Sequence, residues 1–262
     1  MPAQLPLPLV NAHVITPFER VKVVPAYKAV SGAIEQRIVR NEIKPGVQLP
    51  TEQELAQQFG VNRSTVREAI RQLEQEGLVE RRGSKRLHVT MPGVYDAAPR
   101  AARSLLLHQV TFEELWQVAQ VLEPQAARLA AGKVSSTDRE ELQDSLNRLA
   151  AHYKAQGTIQ SHAELDIEFH AMVARMSGNR ALMLAREPIN LLYRPSLMRL
   201  QQELPQMERR NLEAHKRIVR AISVGDADLA HDWMRKHLID FQRGYALAGI
   251  SMNTPLQAHD FE

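Results

Sequence analysis

Apolar positions recur at helical spacing through most of this chain, and the breaks in that period divide it into a short mixed part and a long helical part. Between Tyr27 and Asn41, Val30, Ile34 and Ile38 recur every four residues, predicting a first helix that Pro45-Gly46 ends. Leu55, Ala56 and Phe59 fall at i, i+1 and i+4 behind Thr51, a residue suited to cap a helix, and Gly60 is its stop signal. Val66, Ala69, Ile70 and Leu73 form the inner face of a third helix starting near residues 62–64. After Gly77, residues 78–82 and 87–90 are suited to pair as strands around a Gly83-Ser84 turn.

Beyond Met91-Pro92-Gly93, the expected linker, alternating β-branched runs are almost absent. Helices are expected near residues 97–108, 111–131, 137–155, 160–177, 180–202, 206–224 and 227–247. Thr111, Ser136 and Asp226 are start signals, and Gly132, Gly157 and Gly178 are stops. Pro188 and Pro195 should interrupt and kink the helix that holds them. The expected fold is mainly α: an N-terminal winged helix-turn-helix followed by a C-terminal all-α bundle. The domains are then an extended, proline-rich arm (1–26), the winged domain (27–91), the helical domain (92–248) and a frayed tail (249–262).

Composition narrows this picture. The 262 residues include no cysteine, which excludes disulfides and thiolate metal sites, and no apolar run is long enough to span a membrane. No secretory signal opens the chain, so a cytoplasmic location is expected. Net charge is +3, and the excess lies at the front: residues 1–92 hold 13 Lys and Arg against 9 Asp and Glu. That is the polarity a nucleic-acid contact needs.

The third helix leaves Arg63, Ser64, Thr65 and Arg67 exposed at or near its first turn. Guanidinium forks suit guanine edges or phosphate, and hydroxyls suit phosphate and base edges, so this helix is the candidate reader of a DNA major groove. Arg81, Arg82, Lys85 and Arg86 make the hairpin tip cationic, suited to phosphate or the minor groove. The ordered set Leu49-Pro50-Thr51-Glu52, Glu54-Leu55-Ala56, Gly60-Val61, residues 63–69 and Gly77-Leu78-Val79 resembles the DNA-binding domain of the GntR family of bacterial transcription regulators. The resemblance implies that Arg63, Ser64, Thr65 and Arg67 read the operator and clamp its backbone, with Gly83 in the wing. Gln53 stands where the family usually has an arginine, so the operator should differ there.

In the second half, Asp166 and His170 are one turn apart, about 40° around a helix, and share a face with Phe169 and Val173. His215 lies in line with Leu212, Ile218, Val219 and Ile222; His237 lies with Trp233, Leu238 and Phe241. Each histidine alone reads as a hydrogen-bonded core residue, but one Asp and three His turned inward from three helices are also a sound ligand set for zinc, nickel, manganese or iron. His231, about 240° around from His237, should face solvent. His152 and His162 show no partner pattern.

This half also resembles the all-helical effector domain of the FadR-type branch of the same family. The segments that carry the likeness are Leu122-Glu123-Pro124, residues 166–170 followed by Ser177-Gly178-Asn179, Glu213-Ala214-His215, and Gly225-Asp226-Ala227 leading to His237-Leu238. It implies a divalent metal, zinc foremost, on Asp166, His170, His215 and His237, beside an effector pocket. Ala119 stands where such proteins commonly carry an effector-binding arginine, and Arg194 is the candidate substitute.

The expected function is a homodimeric, non-enzymatic transcription regulator. A small organic acid, sugar acid or amino acid would control its affinity for a double-stranded DNA operator. The alternatives are a metalloregulator sensing the metal itself and a metal-dependent enzyme. The enzyme lacks a general base, since Glu168 lies about 200° around the helix from Asp166.

Overall fold

The computed structural model describes residues 24–83, 86–91 and 93–256. The chain divides into two compact units between Met91 and Pro92. The proposed arm, but for its last residues, lies outside the described part, as do Ser84 and Lys85.

The first unit holds α1 (Ala26–Val39), α2 (Glu52–Phe59), α3 (Arg63–Gln75), β1 (Val79–Arg82) and β2 (Arg86–Val89). Local chemistry sets these boundaries. Thr51 and Glu54 form a reciprocal capping box at the start of α2, and Gly60 ends it in the left-handed conformation at φ 65°. Asn62 caps α3 by accepting from the Thr65 amide. The strands pair antiparallel from Val79 opposite Val89 to Arg82 opposite Arg86, with Gly83 at φ 53° between them. Leu49 donates to the Leu87 carbonyl and Val89 to that of Val47, so residues 47–49 extend the ladder. Val30, Ile34, Leu55, Val66, Ile70, Leu73, Val79 and Val89 fill the core. Phe59, the last residue of α2, is 36% exposed.

The second unit comprises α4 (Val94–Leu107), α5 (Phe112–Ala131), α6 (Ser136–Lys154), α7 (Ile159–Met176), α8 (Arg180–Glu203), α9 (Met207–Ser223) and α10 (Ala227–Ala248). Side-chain caps start most of them: Thr111, Ser135, Thr158, Asn179 and Asp226 each accept an amide of the first turn. The small residues Ala126, Ala127 and Ala130 of α5 pack with Phe169, Val173, Ile218, Ile222 and Met234 in the central core. The interruption expected in α8 does not occur: the helix continues through Pro188 and Pro195, packed between α4 and α7.

The tail also departs from expectation. Residues 250–256 lie back on the bundle, where Glu113 donates to the Met252 carbonyl and Leu256 to that of Val110. Met252 is buried beside Phe112, Leu200 and Tyr245. The segment therefore belongs to the helical unit, and Met252→Ala should cost about 2 kcal/mol of unfolding free energy in a denaturant titration. No change in the midpoint would mean that the segment is not held in solution.

Candidate functional site

The first candidate surface lies on α3 and the hairpin. Arg63 and Arg67 are exposed, and both guanidinium groups face one carboxylate, Glu52 of α2, at 3.4 and 3.5 Å. Arg81 reaches the same carboxylate at 3.1 Å and Glu74 at 2.9 Å. Burial opposes ionisation of Glu52, but Arg81 and Arg67 outweigh it and hold its carboxyl below the usual range. Gln53 is exposed beside it, and Arg82 pairs with Glu80. Ser64 and Thr65 stand differently from the arginines. Both hydroxyls donate to Asn62 Oδ1, at 2.9 and 2.7 Å, and Thr65 is only partly exposed. Their first role is to secure the helix start, which leaves their oxygens as acceptors.

The second site is at the centre of the helical unit. Asp166 and His170 of α7, His215 of α9 and His237 of α10 bring their ligand atoms within 4.8 Å of one another. His170 Nε2 and His237 Nε2 are 3.2 Å apart, and His215 Nε2 is 3.3 Å from Asp166 Oδ1. Phe169 stacks on the His215 ring at 3.8 Å between centroids and seals one side. Burial lowers His215, and it lowers His237 well below the imidazole range, so both rings are neutral near pH 7. Burial works against the Asp166 charge, yet the His215 ring beside it and the surrounding histidines hold the carboxyl well below its usual range.

Glu123 of α5, which sequence reasoning left unassigned, organises this centre. Its Oε2 accepts from His170 Nδ1 at 2.9 Å, and its Oε1 accepts from Arg186 Nε of α8. Burial alone raises a carboxyl, but Arg186 and His170 overcome it and bring Glu123 to about 2. His170 feels burial in the opposite sense, and Glu123 overrides it to raise the imidazole. With Nδ1–H committed to Glu123, the Nε2 edge is the one presented to the cluster, the usual backing of a metal-bound histidine.

The residues fit a divalent cation. His215 is fully buried and neither of its ring nitrogens has a hydrogen-bond partner, because the Asp166 contact lacks hydrogen-bond geometry. An orphaned imidazole edge beside a carboxylate and two further imidazole nitrogens is the donor set of a cation site.

Two small cavities of about 30 Å³ each flank the cluster, and Asp166, His237, Leu197 and Phe241 border both. The second also exposes Glu123, His170, Arg186, Asn190 and Tyr193. Arg186 Nη1 and the Tyr193 hydroxyl are buried there without hydrogen-bond partners; Glu187, 3.9 Å from Nη1, is too far for one. Burial raises Tyr193 well above the phenol range, so it keeps its proton. Arg194 does not reach either cavity. It is 44% exposed and paired with Glu164 at 3.0 Å, because it lies about 80° around α8 from Arg186. Arg186 sits in line with Leu182, Ile189 and Tyr193, a pattern readable in the sequence.

His152 and His162, unassigned from sequence, are also brought together, with Glu208 of α9. Asn211 joins them to the centre, its Nδ2 lying 3.2 Å from His162 Nε2 and donating to Asp166 Oδ1 at 2.6 Å.

Comparison with known proteins places both units. Residues 26–89 match the profile described as bacterial regulatory proteins, gntR family, and residues 114–240 match that of the FCD domain. The chain is 29% identical to the HTH-type transcriptional regulator LutR of Bacillus subtilis, over 78% of this chain and 94% of that protein. It is 30% identical to the HTH-type transcriptional repressor NanR of Cronobacter sakazakii, over 80% of this chain and 81% of that one. Among solved structures, a Streptococcus agalactiae GntR protein superposes with a TM-score of 0.61 at 27% identity, covering 83% of this chain and 99% of that one.

The buried Glu123 pairing generates a stability test. Glu123→Ala leaves Arg186 without its carboxylate and should lower the unfolding free energy by about 3 kcal/mol. Glu123→Gln, which keeps the shape but removes the charge and one acceptor oxygen, should cost nearly as much. A Glu123→Gln variant as stable as wild type in chemical denaturation would show that the charge pairing contributes nothing.

Proposed function

The chain belongs to the GntR family of bacterial regulatory proteins with a C-terminal FCD domain, and from that premise we propose a transcription regulator whose operator affinity is set by a small carboxylate held beside a divalent metal. The family is one of transcription regulators rather than enzymes, and among the described residues no helix is long and apolar enough to cross a membrane. The finer reading rests on one observation: Arg186 and Tyr193 line a cavity bordered by Asp166, His170 and His237, and Arg186 Nη1 and the Tyr193 hydroxyl are buried with no partner of their own. Buried donors of this kind are costly unless a ligand accepts from them, and a carboxylate is the acceptor whose geometry a guanidinium matches.

Asp166, His170, His215 and His237 would hold the cation, with zinc favoured by three imidazoles and one carboxylate. Bound there, it supplies a fixed positive charge for a carboxylate oxygen. Arg186 would take the other oxygen, held in place by Glu123 and by Asn190, which accepts from Nη2 at 3.1 Å. Ala119 leaves room in the wall where relatives of this type commonly carry an arginine, and Arg186 takes over that role. The cavities are small, about 30 Å³ each, so entry of an effector larger than a water or two would require the surrounding helices to move. That requirement is what links occupancy to a change of conformer.

On the DNA side, Arg63 and Arg67 contact the operator, with Gln53, Arg82, Gly83 and Lys85 contributing from the α2 start and the wing. Ser64 and Thr65 contribute through α3's N-terminal turn. Two copies present their recognition helices to a pseudo-palindromic site.

A thermal-shift screen of small carboxylates, polyols and amino acids on zinc-loaded protein tests the effector. Carboxylates should raise the melting temperature, and Arg186→Met should abolish the rise while zinc content is unchanged. Stabilisation that survives in the variant would remove Arg186 from the site. A graded DNA response to free zinc, with no response to any carboxylate, would favour the metalloregulator instead. Separately, Arg67→Ala should weaken operator binding and reduce the slope of log affinity against log salt by about 1, leaving carboxylate stabilisation intact. An unchanged slope would take Arg67 off the phosphate backbone.

A further inference from the structure

His152 of α6, His162 of α7 and Glu208 of α9 form a second cluster beside the Asp166 centre. His152 Nδ1 and His162 Nδ1 lie 2.9 and 3.3 Å from the same oxygen, Glu208 Oε1, and all three ligand atoms fall within 4.8 Å of one another. A tetrahedral zinc with bonds of about 2.0 Å separates its ligands by roughly 3.3 Å, so this spacing needs little adjustment.

Two further observations point to a ligand. His162 is only 4% exposed, yet its Nδ1 has no hydrogen-bond partner. His152 is held from its opposite edge: Nε2 lies 2.7 Å from Ser161 Oγ and 3.1 Å from the Thr158 carbonyl. A ring that donates Nε2–H to that carbonyl can offer its Nδ1 lone pair to a cation, in exchange for the present 2.9 Å hydrogen bond between Nδ1 and Glu208 Oε1. The turn after α6 is fitted to that ring, since a β-carbon on Gly157 would come within 2.2 Å of His152 Nε2.

We propose that His152, His162 and Glu208 form a second divalent-cation site, with three protein ligands and one open position. His162 and Glu208 line the same cavity as Asp166 and His237, so a cation there faces the space beside the inner cluster. The outer site is the weaker one for a structural reason. Ligation through His162 Nδ1 requires a proton on Nε2, and Asn211 must then present Oδ1, which has no hydrogen-bond partner in its present orientation. Turning the amide gives up the bond from Asn211 to Asp166. The open fourth position removes a ligand as well.

The proposal does not depend on the effector reading. Its test is zinc stoichiometry on untagged, full-length protein stripped with a chelator, by equilibrium dialysis and elemental analysis near neutral pH. Wild type should bind two equivalents, the second more weakly. Glu208→Gln, which keeps shape and polarity, should weaken only the second by tenfold or more, and His152→Ala should do the same. His215→Ala should remove the tighter equivalent. Melting curves establish that each variant is folded. One wild-type equivalent that survives Glu208→Gln and is lost in His215→Ala overturns the outer site. A second equivalent indifferent to both outer variants does so too. One equivalent lost in Glu208→Gln but kept in His215→Ala supports the outer site and overturns the inner one.

Discussion

The centre of the helical domain depends on one buried carboxylate, Glu123. Its two oxygens are divided between His170 of α7 and Arg186 of α8, so a single side chain of α5 sets the orientation of both. A buried charge is tolerable only when paired and hydrogen-bonded, and here the pairing leaves each partner with one edge to spare. His170 turns its Nε2 toward His237 and Asp166. Arg186, which lines the cavity, keeps Nη1 without a hydrogen-bond partner. The same interaction that makes the core affordable therefore orients both the imidazole that would face a cation and the guanidinium that would meet an anion on the proposed reading.

The winged domain has a comparable knot with a different purpose. Glu52 collects Arg63, Arg67 and Arg81 from α3 and β1 on one partly buried carboxylate. Unpaired, three neighbouring guanidinium groups would repel one another and bind any phosphate. Held on Glu52 they are spaced by the protein, and sequence-independent attraction is reduced. On the proposed reading, DNA contact through Arg63 and Arg67 would compete with this carboxylate and so favour sites that satisfy the guanidinium groups in the geometry Glu52 leaves them.

How legible each feature was follows from how local its cause is. Thr51, Gly60, Asn62 and Thr111 act within one turn, so helix boundaries could be read from neighbours. Asp166, His170, His215 and His237 could be gathered because each breaks the apolar face of its own amphipathic helix. Glu123 could not: between Leu122 and Pro124 it reads as an ordinary surface acid until Arg186, 63 residues later, arrives beside it. Arg186 itself carried a signal, its alignment with Leu182, Ile189 and Tyr193, but the adjacent Glu187 makes it resemble a solvated pair. His152 and His162 belong to different helices and meet only through Glu208 of a third. Residues 250–256 have no period at all, and backbone bonds to residues 110 and 113 hold them.

Charge balance connects the helical core to regulation. The charged groups lining the Arg186 cavity are Glu123, Asp166 and Arg186; Glu187, though near the guanidinium, lies outside that lining. Glu123 and Arg186 neutralise one another, so a divalent cation on the proposed site would meet only Asp166 and leave one positive charge uncompensated. In a site walled in part by Leu197 and Phe241, such an excess would be expensive, and a monoanion would relieve it. On the proposed reading a bound cation would make the cavity anion-seeking, while the cavity's small size would tie anion entry to a rearrangement of the helices. If the anion prefers the rearranged conformer, any operator that prefers the other must in turn weaken anion binding by the same factor.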